Sequence, residues 1–413
     1  MSIIVTRTNC AICQSKNLTE VLDLGLVPLA GYFPEIDQSM RPELYPLRLL
    51  ICEKCKLAQV DNIINPDHLF LDYRYSSSDS LSNHFLNYAK LLDSRYSVQG
   101  KKILEIGSND GVLLEPLAKL GGCVVGVEPS HNIGKKAKDK GLDIINDFFS
   151  YNLVKDSKHK ESYDLVLCNN AFAHIPDIKD VVRGISYILK HNGLFIFEVH
   201  YFVNLVKENQ WDNIYHEHLY YYSVNSLKNL FDQFHMTIVR CEEISTHAGS
   251  IRVTVSNALT ECPKDVINRI SYELSTVIES DALNIFKNTF EYHKQNFTSK
   301  IEDLSKSYTI AGYGASGRAN MFCNVLKLSK RHIKFVVDES SERSNRYIAN
   351  LGIPIVGLKE LADSDVDLIV IFAWNYSKVI IEKTQFSKYK YLVAFPNIQI
   401  VDHWHELKGI KFL

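Results

Sequence analysis

Between about residues 73 and 260, short apolar runs alternate with longer stretches in which apolar residues recur every three or four positions. Four runs have the length and composition of buried strands: "KKILEIG", "GCVVGVEPS", "YDLVLCNNAF" and "LFIFEVHYF". Three stretches between them have the helical period: "GVLLEPLAKLG", "NIGKKAKDKG" and "DIKDVVRGISYILKHNG". This alternation predicts a parallel sheet with helices on both faces, followed by an antiparallel edge made of "TIVRCEEIS" and "GSIRVTVSNA".

A second α/β unit is predicted in the last third of the chain. It opens with a long helical pattern from about Pro263 to Lys306. The runs that follow alternate again between strand and helix: "SYTIAGYG", "SGRANMFCNVLKL", "IKFVVDES", "DLIVIFAW" and "YLVAFP". The first 72 residues are loop-rich by contrast. We therefore predict an α/β protein in three parts, over residues 1–72, 73–260 and 261–413.

Composition narrows the class of protein. The 413 residues, 46% of them hydrophobic, suffice for two or three packed domains. The net charge of −2 offers no basic excess for nucleic acid or an anionic membrane, so neither is expected as a partner. The start lacks a signal-like apolar run, and the most apolar runs are far shorter than a membrane span. Nine cysteines, an odd count, favour free thiols or metal ligands in a cytoplasmic protein. We expect a monomer.

Four of the cysteines form two C-x2-C pairs, Cys10 with Cys13 and Cys52 with Cys55. A two-residue spacer lets both sulfurs of a pair approach one metal ion, and four thiolates complete a tetrahedral Zn²⁺ site. The alternative is four unconnected thiols. Because both pairs lie within one small, core-poor segment, we predict a structural zinc site with no open coordination position.

The stretch "ILEIGSNDG" joins the first strand of the middle segment to its helix. Its glycines allow a ligand to approach the backbone, and the helix N-terminus offers unpaired N–H groups. The spacing is not the G-x-G-x-x-G of a dinucleotide site. The next strand ends at Glu128, where a carboxylate would accept hydrogen bonds from a ribose diol. With "INDFF" and "LCNNAFAHIPD" after later strands, the pattern predicts S-adenosylmethionine. The alternative is a tight strand–helix turn with surface acids.

The candidate cofactor-binding residues all lie in these four stretches: Glu105, Gly107, Asn109, Asp110, Gly111, Glu128, Pro129, Asp147, Phe148, Asn170 and His174.

A G-x-G-x-x-G pattern appears in the C-terminal unit, at Gly312, Gly314 and Gly317, with Asp338 about twenty residues further on. By itself it indicates a nicotinamide cofactor. It also suits a backbone cradle for a phosphate, assisted by Arg318. We prefer the phosphate interpretation, because a methyl donor in the other unit leaves a hydride carrier without an evident role.

The stretch "IYHEHLYYYS" concentrates two histidines, a glutamate and four tyrosines in ten residues. In an extended segment His216 and His218 would share a face, but the pattern is not H-E-x-x-H, and a third metal ligand is missing. Histidines in an aromatic core are a second possibility. We favour catalysis, with His218 as a general base, Glu217 or a tyrosine orienting it, and Tyr215 donating to a developing oxyanion.

Taken together, the chain resembles the zinc-containing, S-adenosylmethionine-dependent sugar C-methyltransferases. The resemblance covers essentially the whole chain and rests on the order of the motifs: both cysteine pairs, "YRYSSS", "LEIGSNDG", "NNAFAHIPD", "IYHEHLYYYS", "THAGSIR", "GYGASGRAN" and the closing "FPN". It implies a class I methyltransferase Rossmann-like domain between a zinc-binding N-terminal domain and a Rossmann-like C-terminal domain for the nucleotide sugar.

The resemblance also implies roles for individual residues. His218 matches the base that removes a proton beside the sugar ketone, and Tyr75 and Tyr215 match tyrosines that hydrogen-bond the enolate oxygen. Glu217 matches an acid in the pocket. The residues implied to face the substrate are His174, Tyr215, His247, Gly314, Ser316, Arg318 and Asp338.

The expected activity is methylation of carbon, at C3, of a dTDP- or GDP-linked 4-keto-6-deoxy sugar. Two alternatives stay open from the sequence. One is an N- or O-methyltransferase that uses the same base, and the other is a non-catalytic module that binds a sugar nucleotide.

Overall fold

The computed structural model of the chain describes residues 3–35, 42–71, 79–340, 342–384 and 388–410. The N-terminal part contains β1 (Ile4–Thr6), β2 (Leu18–Val27), β3 (Tyr45–Cys52), β4 (Ala58–Val60), β5 (Asn62–Ile64) and α1 (Pro66–Phe70). The middle part contains α2 (Asp79–Tyr96), β6 (Lys102–Ile106), α3 (Leu114–Lys119), β7 (Cys123–Val127), α4 (His131–Asp139), β8 (Ile144–Ile145), α5 (Tyr151–Val154), β9 (Tyr163–Asn169), α6 (Ile178–Ile188), β10 (Leu189–His200), α7 (Phe202–Lys207), β11 (Tyr220–Tyr221), α8 (Val224–Phe231), β12 (Thr237–Ile244) and β13 (Ser250–Ser256). The C-terminal part contains α9 (Lys264–Glu273), α10 (Ala282–Leu304), β14 (Ile310–Tyr313), α11 (Gly317–Val325), β15 (Val336–Val337), β16 (Tyr347–Ile348), β17 (Ile353–Val356), α12 (Leu358–Ala362), β18 (Leu368–Ile371), α13 (Ser377–Thr384), β19 (Lys390–Val393) and β20 (Gln399–Val401).

The middle part folds around a sheet with strand order β12-β13-β10-β9-β6-β7-β8. Strands β10 to β8 run parallel, and β13 and β12 add the antiparallel edge that the sequence predicts. Alternate residues of β9 face opposite helical layers: Leu165 and Leu167 pack in the cluster of α2 and α3, while Val166 and Cys168 pack in that of α6. The predicted α/β sheet with helices on both faces is therefore confirmed.

One helix of this part is shorter than its pattern predicts. The helical stretch up to "KHNG" ends at Ile188, and β10 begins at the next residue. Leu189 is fully buried and pairs with Tyr163 of β9. Because that position is buried in the sheet, the strand extends back over residues that a helical period also fits.

The C-terminal part contains the second predicted α/β unit, with strand order β16-β17-β15-β14-β18-β19-β20. Its inner strands are parallel, and β16 and β20 close it as antiparallel edges. The helical pattern in front of it is interrupted between α9 and α10, after a π-helical turn at Leu274–Ile278. Ser280 Oγ accepts from Ala282 N, so a short polar side chain replaces a helical hydrogen bond there. Asp281 Oδ1 accepts from Asn284 Nδ2 in the first turn of α10.

The N-terminal part is joined to both α/β units. Its sheet has the order β11-β4-β3-β2, and β11 comes from the middle part of the chain. The loop after β2 lies on the first turns of α11, where Asn320 Nδ2 donates to the carbonyls of Leu29, Ala30 and Tyr32 at 3.1–3.2 Å. The sequence boundaries at residues 72 and 260 stay predictions.

Among the described residues, no helix combines the length and the apolar character that crossing a bilayer requires.

Candidate active site

His218 lies at the centre of the candidate site, just after a 3₁₀ turn formed by Trp211–Asn213. Its side chain is 5% exposed, and Nδ1 lies 3.2 Å from the carbonyl oxygen of Asn213. Its backbone N–H donates to the carbonyl of Tyr215 at 3.0 Å. Because a carbonyl oxygen only accepts, the contact between His218 Nδ1 and the Asn213 carbonyl assigns the ring proton to Nδ1 and leaves the lone pair on Nε2. Nε2 is then the nitrogen that can remove a proton.

Three of the described aromatic rings have centroids within 5.0 Å of the His218 ring centroid. Their centroids lie 4.0 Å away for Tyr215, 4.7 Å for His200 and 5.0 Å for His174. His174 follows β9, and His200 is the last residue of β10. The carboxyl ends of both strands meet at the edge where doubly wound sheets bind their ligands. His218 therefore lies beside the edge at which the cofactor is predicted.

His200 is a member of this cluster that the sequence motifs did not identify. It is a polar residue that closes the apolar run "LFIFEV", at the carboxyl end of a parallel strand. That position could have marked it as a candidate.

His216 and His218 do not share a face. The segment turns at His216 and Glu217 instead of running extended. His216 Nε2 lies 3.1 Å from the carbonyl oxygen of Pro46 in the N-terminal part, and its ring packs edge-on against Tyr45. Burial lowers the pKa of His216 to about 4. The expectation of a shared face is wrong, and His216 is a neutral, structural residue.

Glu217 points toward the N-terminal part as well. Its Oε1 accepts from Gly31 N at 3.0 Å, and its backbone carbonyl lies 2.6 Å from His174 Nδ1. Oε2 is buried and has no partner among the described residues. Burial raises the pKa of Glu217 and lowers that of His174, because each loses hydration of its charged form. Glu217 thus offers a buried acceptor oxygen to a hydroxyl, and its backbone carbonyl also fixes His174.

The predicted cofactor loop is a tight turn. Gly107 has φ +69°, and a Cβ there would lie 2.6 Å from the Cβ of Ala171. Asn109 has φ +50° and Gly111 has φ +79°. At the end of β7, Glu128 accepts from Asn109 N at 3.0 Å and from Ser130 N at 2.9 Å. These bonds hold the carboxylate in place, and each oxygen retains a lone pair for a ribose hydroxyl.

Buried polar atoms without a partner in the described structure gather along this edge: Glu105 Oε2, Ser108 Oγ, Asn169 Oδ1 and Asn170 Oδ1. Buried polar groups are normally hydrogen-bonded, so this cluster fits a polar ligand such as the donor's amino acid and ribose groups. Burial raises the pKa of Glu105 to about 8, while its Oε1 accepts from Asn169 Nδ2 at 3.2 Å. The residues present therefore fit S-adenosylmethionine.

The other candidate cofactor residues lie at the outer side of this edge. Asp110 is within 3.5 Å of Lys140 Nζ, and Pro129 follows Glu128 directly. Asp147 is exposed and its Oδ1 accepts from Phe148 N at 2.7 Å, while Phe148 is half-buried. Two of the predicted site residues lie outside what the structure describes. They are Tyr75 as a whole and the side chain of His247.

The four predicted zinc ligands come together in the N-terminal part. All four sulfurs lie within 4.8 Å of one another, with Cys10 and Cys55 at 3.3 Å and Cys13 and Cys52 at 3.5 Å. Zn–S bonds of about 2.3 Å in a tetrahedron place sulfurs roughly 3.8 Å apart. The set fits a closed, structural Zn²⁺ site. All nine cysteines lie in the described part of the chain, and none of them forms a disulfide.

The glycine-rich turn of the C-terminal part follows β14. Gly314 has φ +91°, and a Cβ there would lie 2.8 Å from the Cβ of Ala373. Ser316 caps α11. Asp338 Oδ2 accepts from Ala315 N at 2.7 Å and from Arg343 Nη1 at 3.2 Å. Asp338 Oδ1 also accepts from Ser340 N at 2.9 Å, so backbone N–H groups hold this carboxylate at the turn in the way that they hold Glu128.

Arg318 is held by protein groups. Its Nε and Nη2 donate to Asp212 Oδ2 at 2.9 and 2.7 Å, and Nη1 donates to Asn375 Oδ1 at 3.2 Å. The guanidinium also lies over the Trp374 ring, 4.7 Å from its centroid. The sequence offered no signal for Asp212 as a partner of Arg318, since 106 positions separate them.

Domain families match the chain in three consecutive stretches. A family described as "Putative zinc binding domain" matches residues 10–70, one described as "Methyltransferase domain" matches 82–240, and one described as "C-methyltransferase C-terminal domain" matches 245–396.

Individual relatives match to different extents. The C-methyltransferase NovU of Streptomyces niveus is 31% identical over 385 residues, covering 90% of this chain and 91% of that protein. A ubiquinone biosynthesis O-methyltransferase of Marinobacter nauticus is 32% identical over 129 residues, covering 30% of this chain and 50% of that protein. The solved magnesium protoporphyrin IX methyltransferase of Synechocystis PCC 6803, with bound S-adenosylmethionine, is 14% identical at a TM-score of 0.34, covering 45% of this chain and 86% of that one. The extended similarity is to the C-methyltransferase.

Proposed function

Because the chain belongs to the family of S-adenosylmethionine-dependent C-methyltransferases with an N-terminal zinc-binding domain, we propose that it methylates carbon of a nucleotide-linked 4-keto-6-deoxy sugar. The carbon is C3, next to the ketone, and the nucleotide is dTDP or GDP.

The observation that carries the proposal is the environment of His218. Its Nδ1 is fixed on the Asn213 carbonyl, which supports Nε2 as the base, and the Tyr215 ring lies 4.0 Å away. A C–H beside a ketone is a weak acid, so its removal needs both a base and a donor to the oxygen that becomes an enolate. A histidine and a tyrosine in one small cluster supply that pair.

Each part of the site then has a defined task. The bound donor supplies an electrophilic methyl group. His218 takes the C3 proton, and Tyr215 donates to the keto oxygen as negative charge develops there. Glu217 accepts from a sugar hydroxyl through its buried Oε2, and His174 closes the pocket on the side of β9. The enolate carbon attacks the methyl carbon in line as the C–S bond of the sulfonium breaks, so S-adenosylhomocysteine leaves as a neutral thioether that keeps the electron pair. His218 retains the proton until solvent removes it.

The C-terminal glycine-rich turn is the proposed site of the diphosphate. Gly314 lets the backbone approach an anion, and the N–H groups at the start of α11 point toward it. Ser316 and Gly317 belong to the same turn. Because Asp212 neutralises Arg318, the backbone and not the guanidinium is the main anion-binding element.

The test is incubation of the protein with a panel of dTDP- and GDP-linked 4-keto-6-deoxy sugars and a donor carrying a ¹³C-labelled methyl group. We expect a new methyl resonance coupled to C3, and deuterium at C3 when the reaction without donor is run in D₂O. Label on oxygen or nitrogen would identify an O- or N-methyltransferase instead. Tight sugar-nucleotide binding with neither exchange nor transfer would identify a binding module.

A further inference from the structure

A buried acid outside the recognised motifs connects the two ends of the proposed substrate site. Asp212 is 1% exposed. Its Oδ2 receives three hydrogen bonds, two from Arg318 and one from Trp374 Nε1 at 3.1 Å. Arg318 is in the first turn of α11, directly after the glycine-rich turn. Oδ1 is buried and has no partner among the described residues, so the charge of Asp212 is compensated through Oδ2 alone. Breaking a buried pair leaves an uncompensated charge, and the Arg318 contact therefore holds Asp212 to α11.

The next residue in the chain orients the proposed base. The carbonyl of Asn213 accepts from His218 Nδ1 at 3.2 Å and from Tyr221 OH at 3.0 Å. Asp212 and Asn213 belong to one 3₁₀ turn, so adjacent residues carry the carboxylate that Arg318 holds and the carbonyl that His218 contacts. The Asp212 side chain and the His218 ring are thereby connected through two consecutive peptide units, those on either side of Asn213.

The same turn is also held against α11 on its other side. The Trp211 ring stacks on Phe322 of α11, with centroids 5.3 Å apart and planes at 10°. Trp211 Nε1 donates to His293 Nδ1 of α10 at 3.2 Å. Trp211 thus packs the turn against α10 and α11, while Asp212 holds it to the N-terminal end of α11 through Arg318.

We propose that Asp212 is a positioning residue that fixes His218 relative to the nucleotide-binding turn. This inference rests on the proposed function and deepens it. The Asp212–Arg318 contact sets the distance between the diphosphate end and the base, so a sugar nucleotide anchored at the turn presents its C3 proton to Nε2. Asp212 also neutralises Arg318, which therefore does not hold the anion directly.

This arrangement predicts an unusual kinetic signature for Asp212→Asn. Loss of the charge releases Arg318, which is then available to the diphosphate, and it loosens the turn that orients His218. We expect kcat to fall about 10- to 100-fold, the range that a misplaced catalytic group produces, while the KM for the sugar nucleotide stays within about threefold or decreases. General unfolding would not combine these two changes.

A second readout needs no substrate. In protein labelled with ¹⁵N-histidine, the His218 signals are identified by their absence in His218→Asn. We expect the wild type to show a protonated Nδ1 and an unprotonated Nε2 at neutral pH. In Asp212→Asn the two shifts should move toward the average of exchanging tautomers. This measurement separates the inference from the proposed function, because it stands even where no sugar in the panel reacts.

Trp374→Phe is the milder variant, since it removes one donor to Asp212 and keeps an aromatic ring under Arg318. It replaces Asp212→Asn if that protein does not fold, and it should shift the His218 signals in the same direction. Asp232→Asn, which breaks an exposed pair with Lys228, is the matched control and should change neither kcat nor the shifts. Unchanged His218 shifts in a folded Asp212 or Trp374 variant would overturn the inference. A rise in KM with kcat retained would also overturn it, because Asp212 would then serve nucleotide binding alone.

Discussion

Gly31 and Glu217 are 186 positions apart, yet the Gly31 N–H donates to Glu217 Oε1 at 3.0 Å. The same loop lies on Asn320 of α11 through three backbone carbonyls. A short segment of the zinc-binding part thus contacts the segment of the proposed base and the helix of the glycine-rich turn. We therefore expect the zinc site to support the geometry of the proposed active site from a distance.

Loss of the metal should for this reason affect both stability and activity. We expect Cys10→Ser to lose bound zinc and a large share of metal-linked folding free energy, which is about 10 kcal/mol or more for structural sites. Methyl transfer should fall with it. Metal analysis together with thermal unfolding checks this, and Cys123→Ser, at an exposed thiol of β7, is the control. Full activity in the metal-free protein would refute the supporting role.

His218→Asn should abolish exchange of the sugar's C3 proton with solvent and slow methyl transfer by about 10²- to 10⁴-fold. The base is lost, while a polar side chain of similar length remains. Donor binding, measured calorimetrically, should not change. The matched control is His216→Asn in the same segment. It removes a buried contact with Pro46 and should cost about 1–3 kcal/mol of stability while exchange persists. Exchange that survives in His218→Asn would point to another base.

Tyr215→Phe should slow turnover about 10²- to 10³-fold with unchanged donor affinity, because it removes one donor to the developing oxyanion. Tyr75→Phe should act in the same way. The control is Tyr222→Phe, whose fully buried hydroxyl donates to the Phe172 carbonyl at 3.4 Å and faces no proposed reactant. Steady-state rates with the reactive sugar nucleotide measure the difference, and equal rates in Tyr215→Phe and wild type would remove Tyr215 from the mechanism.

Glu105 should make the donor-free protein less stable as pH rises. Burial raises its pKa to about 8 in the folded state, from 4.5 for the free side chain. The folded state therefore binds more protons between pH 4.5 and 8, and the free energy of unfolding decreases across that window by a few kcal/mol. Glu105→Gln should flatten this decrease. Denaturant unfolding at several pH values, without donor, checks the slope. An equal slope in both proteins would show that Glu105 titrates normally.

The local patterns predicted most of the two α/β sheets, because periodicity and strand length depend on neighbours in the chain. They failed where a distant contact decided the outcome. Leu189 reads as the continuation of a helix until its pairing with Tyr163 places it in a strand. The prediction that "HEH" is extended was wrong for the same reason, because His216 contacts the Pro46 carbonyl and does not lie on the same face as His218.

In the candidate site, too, local patterns were predicted and contacts between distant residues were not. The cysteine pairs and "LEIGSNDG" are contiguous, so their spacing alone indicated chemistry. Arg318 looked like a phosphate ligand because its sequence neighbours are glycines, while its partner Asp212 is far along the chain. His200 was missed because a single polar residue at a strand end has no spacing to recognise.

The pairing of β11 with β4 has a consequence during synthesis. Tyr220 and Tyr221 pair with Gln59 and Ala58. The N-terminal sheet therefore lacks its edge strand, β11, until some 160 residues after β4 have been translated. At about 5–20 residues per second, that delay is on the order of ten seconds. During this interval β4 is an open edge that can pair with another nascent chain, and a fragment ending before Tyr220 would keep that edge permanently.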